Sequence, residues 1–298
     1  MSKLTQKHPH LLPQLALFAA AIIWGSSFFL MKRVVAVFPT FYLLALRFSI
    51  AAVLLASIFH KRVAQLKPKH LKAGFIIAAT FCLAYAFQTI GLRGTTPAKN
   101  SFLSAVYCVF VPFLSWGIEK IRPDRANIVA VFLCIVGVGL VSLTRQFTVS
   151  WGDGLTLICG LFFALNIIAS AHYSQTIDVT LITIMQFAFA AVFCWICAFF
   201  TETWPAHIPA SCLGELIYLA LFASGLAYLC QNFGLKHENT TSASIILCLE
   251  SVFGVLFSVL FYGERLTPRL LVGFAVIFIS VLISELKPQW PSKKRSAE

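Results

Sequence analysis

Two charged residues interrupt long apolar stretches of the sequence. Arg47 is the ninth residue of the apolar run 39–59, and Glu250 is the eleventh residue of the run 240–261. At a helical rise of about 1.5 Å per residue, Arg47 lies roughly 13 Å from the nearer end of its run and Glu250 roughly 15 Å from the start of its own. Because a charge at the centre of a hydrocarbon layer costs roughly 2.5 kcal/mol or more, both residues are candidates for a functional site.

Each of these two charges has a functional and a structural explanation. The Glu250 carboxylate could bind a substrate ammonium group, or take up a proton and couple transport to a gradient. The alternative is a neutral or paired glutamate that holds two helices together. Arg47 could hold a substrate carboxylate with its planar fork of N–H donors. Its alternative is a permanent ion pair, or bonds to backbone carbonyls at a helix break.

Two tyrosine–glutamine pairs share a spacing that places them on helix faces. Tyr85 precedes Gln88 by three residues, and Tyr228 precedes Gln231 by three residues. Residues three apart lie on the same face of an α-helix, so each pair could line a polar pathway. Hydrogen bonding between helices is the alternative explanation for both pairs.

Three further runs contain candidate pathway residues. Trp24 lies too deep in the first run for an interfacial anchor and could form the wall of a pocket, whereas Ser26 beside it equally suits close helix packing. Asn166 is a polar residue within the sixth run. Lys99 begins the fourth run just after Pro97 and could bind an anion such as an organic phosphate, or lie in an exposed loop.

The composition specifies the kind of chain that must position these residues. Hydrophobic residues make up 59% of the 298 residues, charged residues only 11%, and the mean hydropathy is +0.86. Such a chain is neither disordered, nor a disulfide-rich secreted module, nor an ordinary cytosolic enzyme. We expect an all-α polytopic membrane protein. The nine cysteines lie in or beside apolar runs and suit small buried hydrophobes.

Ten apolar runs predict ten transmembrane helices, since a span needs about 20 apolar residues. Pro112 lies inside the fourth run and predicts a kink or break there. The ten runs are 13–31, 39–59, 72–92, 98–118, 126–143, 154–172, 179–200, 212–232, 240–261 and 268–285.

The positive charges between the runs predict the orientation. Most Lys and Arg residues fall on the same side as the N-terminus, which favours both termini in the cytoplasm. A bacterial inner (plasma) membrane is the expected location. The net charge of +12 is therefore interpreted as orientation signals and contacts to lipid headgroups, and no nucleic-acid partner is expected.

The two halves of the sequence resemble each other. Residues 84–93 read AYAFQTIGLR and residues 227–236 read AYLCQNFGLK, 143 positions later. Five helices per half is an odd number, so the second copy must be inverted in the membrane, as in many secondary transporters. The prediction is a cytoplasmic tail 1–12, a first repeat 13–145, a second repeat 151–286 and a basic cytoplasmic tail 287–298. At the same offset Tyr107 takes the place of Glu250, which adds Tyr107 to the candidates.

Several motifs in order resemble the EamA family of the drug/metabolite transporter superfamily. They are WGSSF (24–28), LRF (46–48), GLRGTTPAKNSFLSAVYCVFVPF (91–113), LESVF (249–253) and YGERLTP (262–268). The resemblance covers nearly the whole chain. It implies two repeats, ten helices, and export or exchange of small metabolites such as amino acids.

The expected function is a secondary transporter of a small polar metabolite, working by alternating access. A proton is the candidate coupling ion, the bilayer and a small molecule are the expected partners, and a monomer is sufficient. No nucleotide, metal or catalytic motif is present, so neither a cofactor nor enzymatic activity is expected. A membrane-embedded enzyme or lipid-handling protein is the alternative, and organic phosphates or drugs are alternative substrates.

Overall fold

The computed structural model describes residues 11–120, 122–143, 149–174, 176–237 and 240–286. Within these ranges the chain is helical, and the sole β feature is an isolated bridge between Leu143 and Val149. The expected all-α class is therefore confirmed. The predicted C-terminal tail, and the predicted N-terminal tail up to residue 10, lie outside the described residues.

The helices follow the apolar runs of the sequence. The first five are α1 (Leu11–Val34), α2 (Thr40–Ile58), α3 (Pro68–Arg93), α4, which consists of α4a (Pro97–Ala105) and α4b (Tyr107–Glu119), and α5 (Arg125–Ser142). The rest are α6 (Trp151–Ser174), α7 (Val179–Thr201), α8, which consists of α8a (Ala210–Tyr218), a π-helical segment (Leu219–Leu226) and α8b (Ala227–His237), then α9 (Thr240–Phe257) with a π turn (Ser258–Tyr262), and α10 (Pro268–Leu286). A short helical turn, His60–Val63, follows α2.

Length and hydropathy make this a multi-pass membrane protein. In the part of the chain that the structure describes, eight helical stretches are long and apolar enough to cross a membrane. Two shorter apolar helices, Ile246–Tyr262 and Pro268–Ser284, follow them. A helix satisfies all backbone hydrogen bonds within itself, which is why hydrocarbon favours this architecture.

Side chains and glycine mark the helix ends. The Asp178 carboxylate accepts from the backbone N–H groups of Thr180 and Leu181 at the start of α7, and Thr96 caps α4a in the same way. Lys120 after α4b and Gly263 after the π turn of α9 both have positive φ, 63° and 73°. A left-handed residue at this position stops a helix by turning the chain out of its axis.

The fourth helix breaks earlier than the sequence indicates. Pro112 predicts a kink near itself, yet it lies inside α4b, and the interruption falls at Val106. A proline removes one backbone donor and clashes with the carbonyl four residues earlier, which here is that of Cys108 and lies after the break. The break gives Tyr107 the first position of α4b.

Close helix crossings hold the bundle together. α1 packs against α8b and α9, α3 against α6, α2 against α7, and α5 against α10. At the crossing of α1 and α9, a Cβ atom on Gly25 would lie 2.4 Å from the Phe253 Cβ atom and 3.0 Å from the Glu250 carbonyl oxygen. Small residues allow such approaches, which supply packing contacts between helices in a membrane.

Gly25→Ala is expected to destabilise the protein by roughly 1–3 kcal/mol, because the added methyl group overpacks the crossing of α1 and α9. The measurement is thermal unfolding in detergent, followed by circular dichroism. The matched control is Gly117→Ala in α4b, where an added Cβ would meet nothing within 4 Å. Equal unfolding midpoints for the two variants would contradict the close packing at Gly25.

Candidate functional site

A cluster of aromatic rings occupies the centre of the bundle. Tyr85 of α3 packs edge-on against Phe48 of α2, with 5.4 Å between ring centroids, and Tyr228 of α8b packs edge-on against Phe187 of α7 at 5.2 Å. Phe81 contacts both tyrosines, at 4.7 and 6.0 Å. The two phenol groups are close enough to interact with each other. The structure thus brings together the two tyrosines that the sequence repeat picked out.

Arg47 lies within this cluster and is only 1% exposed. Its Nε donates to the Ser224 hydroxyl at 2.6 Å, and its guanidinium carbon lies 4.9 Å from the centroid of the Tyr85 ring. No ion pair of the described residues includes Arg47. A cation over an aromatic face is attracted by the ring quadrupole, and the attraction grows when water is excluded. The Tyr85 ring and the Ser224 hydroxyl therefore stabilise the buried Arg47 cation, and no carboxylate of the described residues does so.

Glu250 supplies the opposite charge near the same tyrosines. Its side chain is partly buried on α9, and it has no hydrogen-bond partner among the residues that the structure describes. Its carboxyl group lies within electrostatic range of the Tyr85 and Tyr228 hydroxyls, as does the Arg47 guanidinium. Tyr107 also lies within electrostatic range of the Glu250 carboxyl group. The two charges thus lie near one tyrosine pair without forming an ion pair with each other.

Trp24 and Tyr107 lie at the edges of the cluster. The Trp24 ring contacts Tyr228 edge-on at 5.2 Å, and its indole N–H donates to the Ala223 carbonyl at 2.8 Å. Tyr107 contacts Phe163 at 6.3 Å between centroids, and Phe163 contacts Tyr85 at 5.3 Å. Both residues can therefore form walls of a shared central site.

Four other candidates lie apart from the aromatic cluster or bond to neighbouring helices. Gln88 donates to the Ser104 hydroxyl at 3.0 Å, and Asn166 donates to the Ile77 carbonyl at 2.8 Å. Ser26 donates to the Ile23 carbonyl and is within hydrogen-bond distance, 2.7 Å, of the Tyr218 hydroxyl. Gln231 is partly buried, and no hydrogen bond joins its side chain to the described residues. The bonds of Gln88, Asn166 and Ser26 match the helix-packing alternative.

Lys99 pairs with an acid that the sequence analysis did not single out. Its Nζ lies 3.2 Å from the Asp153 carboxylate, which is fully buried and also accepts from Thr95. The predicted sixth run began at 154, which left Asp153 in a loop. In the structure it lies in the first turn of α6. Lys99 therefore has a carboxylate of this chain where an external anion was considered.

Two buried polar residues on helices of the central site were also missed from the sequence. Ser224 lies fully buried in the π-helical segment of α8, and Gln186, 5% exposed, precedes Phe187 on α7. The signal for Gln186 was present, because MQF at 185–187 parallels LRF at 46–48. A single serine in an apolar run gives no comparable signal.

The cysteines and acids of the described residues build no metal centre. No group of three or more His, Cys, Asp or Glu side chains is placed to hold an ion there. Cys82 and Cys194 are both buried as free thiols, with their sulfur atoms 3.4 Å apart. They behave as small core residues.

Comparison with known proteins identifies the class of this helical membrane protein. Residues 11–143 and 150–286 both match the EamA-like transporter family. The chain belongs to this family, and hence to the drug/metabolite transporter superfamily. The resemblance seen in the sequence motifs is confirmed.

Its relatives are transporters by name. An uncharacterized transporter of Archaeoglobus fulgidus is 33% identical over 277 residues, which cover 92% of this chain and 85% of the relative. The uncharacterized inner membrane transporter YedA of Escherichia coli K12 is 24% identical over 93% of this chain and 92% of its own length. A crystal structure with 17% identity superimposes with a TM-score of 0.67 over 92% of this chain and 96% of the other, which supports the fold.

Lys99→Ala is expected to lower the free energy of unfolding, because it leaves the Asp153 carboxylate buried without its cation. The loss should exceed the roughly 0–1 kcal/mol of a surface pair and approach the roughly 3–5 kcal/mol of a buried one. Thermal unfolding in detergent measures it. Arg62→Ala is the control, since Arg62 pairs with Asp178 at the exposed end of α7. Equal losses in the two variants would contradict a buried pair.

Proposed function

We propose that the protein is a secondary transporter for a small polar metabolite that carries both an ammonium and a carboxylate group, such as an amino acid. One observation carries the proposal: Arg47 lies buried over the Tyr85 ring in the bundle centre, Glu250 lies near the same tyrosines, and neither forms an ion pair with a described residue. A zwitterion would supply the missing partner to both charges at once.

The residues around the two charges suggest how such a substrate is held. The Arg47 fork binds the carboxylate, and Glu250 binds the ammonium group. Tyr85 and Tyr228 offer hydroxyls between them, and Trp24, Tyr107 and the phenylalanines enclose the apolar part of the molecule. Glu250 is also the group that takes up a coupling proton when the substrate leaves.

Two inverted repeats of five helices supply the frame in this proposal. The helix contacts support it because each has a counterpart in the other half. α3 packs on α6, as α8b packs on α1, and the equivalent helices α2 and α7, and α5 and α10, pack on each other. Gly91 approaches α6 near Gly152 and Thr156, and Gly234, 143 positions later, approaches α1 at Leu17. The helix-ending residues Lys120 and Gly263 share the same offset and the same left-handed backbone.

Transport then proceeds by alternating access in this scheme. The two halves rock about the central site, which is exposed first to one side of the membrane and then to the other. The orientation that the positive charges favour places both termini in the cytoplasm of a bacterial inner membrane, where the protein exports or exchanges its substrate. The protein acts within the bilayer, and one monomer holds the complete site. Neither catalysis nor a nucleic-acid partner is needed for this function.

Glu250→Gln is expected to abolish counterflow, because the amide cannot bind an ammonium group as a carboxylate does. Proteoliposomes loaded with a pool of unlabelled amino acids are tested for accumulation of the labelled amino acids. Glu215→Gln is the matched control, since Glu215 lies on α8a and pairs with Arg33 at 3.4 Å, away from the aromatic cluster. Wild-type accumulation in the Glu250→Gln variant across pH would remove Glu250 from the mechanism.

Arg47→Lys is expected to weaken the binding of a zwitterion and to leave the binding of the matching amine unchanged. Lysine keeps the charge and loses the planar fork that suits a carboxylate. L-phenylalanine and phenethylamine, which lacks the carboxylate, suit a site lined by aromatic rings, and calorimetry on the purified protein measures both. We expect about a tenfold weaker affinity for phenylalanine alone, the loss of one charge-assisted hydrogen bond. Equal weakening for both compounds would refute a carboxylate role for Arg47.

A further inference from the structure

The eighth helix changes its hydrogen-bond pattern beside the central site. Between α8a and α8b, residues Leu219–Leu226 form a π-helical segment, and the N–H of Ala227 bonds to the Phe222 carbonyl five residues earlier. A π segment inserts an extra residue into the helix and shifts the backbone groups around it, and such segments occur often at functional sites. The segment contains no proline, and Ser224 and Gly225 lie next to each other within it.

Consecutive residues of the segment bind side chains from two other helices. The Ala223 carbonyl accepts from the Trp24 indole on α1 at 2.8 Å, and the Ser224 hydroxyl accepts from the Arg47 Nε on α2 at 2.6 Å. Ala223 and Ser224 are both fully buried. One turn of α8 thus fixes two walls of the central site.

The bond to Ser224 determines which edge of the guanidinium is left for a ligand. An arginine has five N–H donors in one plane, and a carboxylate binds best to two of them side by side. Ser224 occupies the Nε donor, and the Tyr85 ring supports the face of the plane. The Nη groups form no hydrogen bond to the described residues, so they remain for a substrate.

The corresponding part of the first half lacks this arrangement. Residues 80 and 81, 143 positions before Ala223 and Ser224, are Thr and Phe and lie within the uninterrupted helix α3. Gln186 takes the place that Arg47 has in the LRF motif. The π segment with Ser224 belongs to the second half of the chain and contacts Arg47 of the first half. The corresponding helices α3 and α7 have Phe81 and Gln186 at these positions, so the equivalent contact lacks both the serine and the cation.

We propose that the π segment of α8 is the positioning element of the substrate site and that Ser224 is a positioning residue, which holds the Arg47 fork toward the substrate carboxylate. This inference rests on the proposed function for the carboxylate itself. The contact between Ser224 and Arg47 sets which end of a zwitterion faces α2 and α8.

The first test measures the position of Arg47 without any substrate. Protein labelled with ¹⁵N-arginine in nanodiscs gives an Nε–H signal for Arg47, which Arg47→Gln assigns by its loss. Ser224→Ala should shift this signal and make its hydrogen exchange at least tenfold faster, because its acceptor is removed. An unchanged signal and exchange rate would overturn the positioning role, whatever the protein transports.

The second test measures ligand affinity by calorimetry with L-phenylalanine and phenethylamine. Ser224→Ala should weaken phenylalanine binding about tenfold, the loss of one charge-assisted bond, and leave phenethylamine binding unchanged. In an Arg47→Gln background the same change should have no further effect. Equal losses for both ligands, or a loss that persists without Arg47, would overturn the proposal.

Matched variants separate positioning from folding. Ser142→Ala removes another buried hydroxyl, one with no hydrogen-bond partner, and should change neither readout. Ser224→Cys keeps the shape of the side chain with a somewhat larger and weaker acceptor atom, and should fall between wild type and Ser224→Ala in both tests. If the wild type binds neither ligand, the proposed substrate class is wrong, and the exchange measurement still decides the role of Ser224.

Discussion

The cost of a charge in a hydrocarbon layer governs the centre of this structure. Arg47 cannot be neutralised by losing its proton, so its surroundings must stabilise the cation. The bundle does this with a hydroxyl from α8 and the face of the Tyr85 ring. Both contacts require α2, α3 and α8 to meet at one point. Phe48, Phe81 and Phe187 pack around that point and keep the rings in place.

A similar frame in both halves supports a site that differs between them. The ring contacts of Tyr85 with Phe48 and of Tyr228 with Phe187 have nearly the same distance and angle. The two halves differ in charge. Arg47 aligns with Gln186 in the repeated motif, and Glu250 aligns with Tyr107. In the proposed function, a bundle that rocks about its centre gains from matched packing, whereas a site that orients an asymmetric molecule needs unlike groups. The tyrosine and phenylalanine rings supply the matched packing. Arg47 and Glu250 supply the unlike groups.

The sequence predicts the parts of this protein that contrast with their surroundings. Arg47 and Glu250 stand out because they are charges within apolar runs, and Tyr85 and Tyr228 because they recur at a fixed offset. Ser224 and the π segment give no such signal, since a change in backbone hydrogen bonding depends on tertiary packing. Asp153 was missed because the predicted apolar run began at residue 154, and a boundary one residue too late places Asp153 in a loop instead of in the helix. The fourth helix is interrupted as its proline suggested, but no feature of the sequence indicates that the interruption falls at Val106.

Charges at the ends of the helices and charges at the centre behave differently in this molecule. Lys99 of α4a binds Asp153 of α6, and Arg33 of α1 binds Glu215 of α8a, so charges near the helix ends find partners in the other half of the chain. Arg47 and Glu250 have no such partner among the described residues. In the proposed transport scheme, an ion pair between Arg47 and Glu250 would have to be broken in hydrocarbon for each substrate molecule. In the proposed scheme, the unpaired central charges keep the site open to a ligand, and the Tyr85 ring and Ser224 stabilise the Arg47 cation in the meantime.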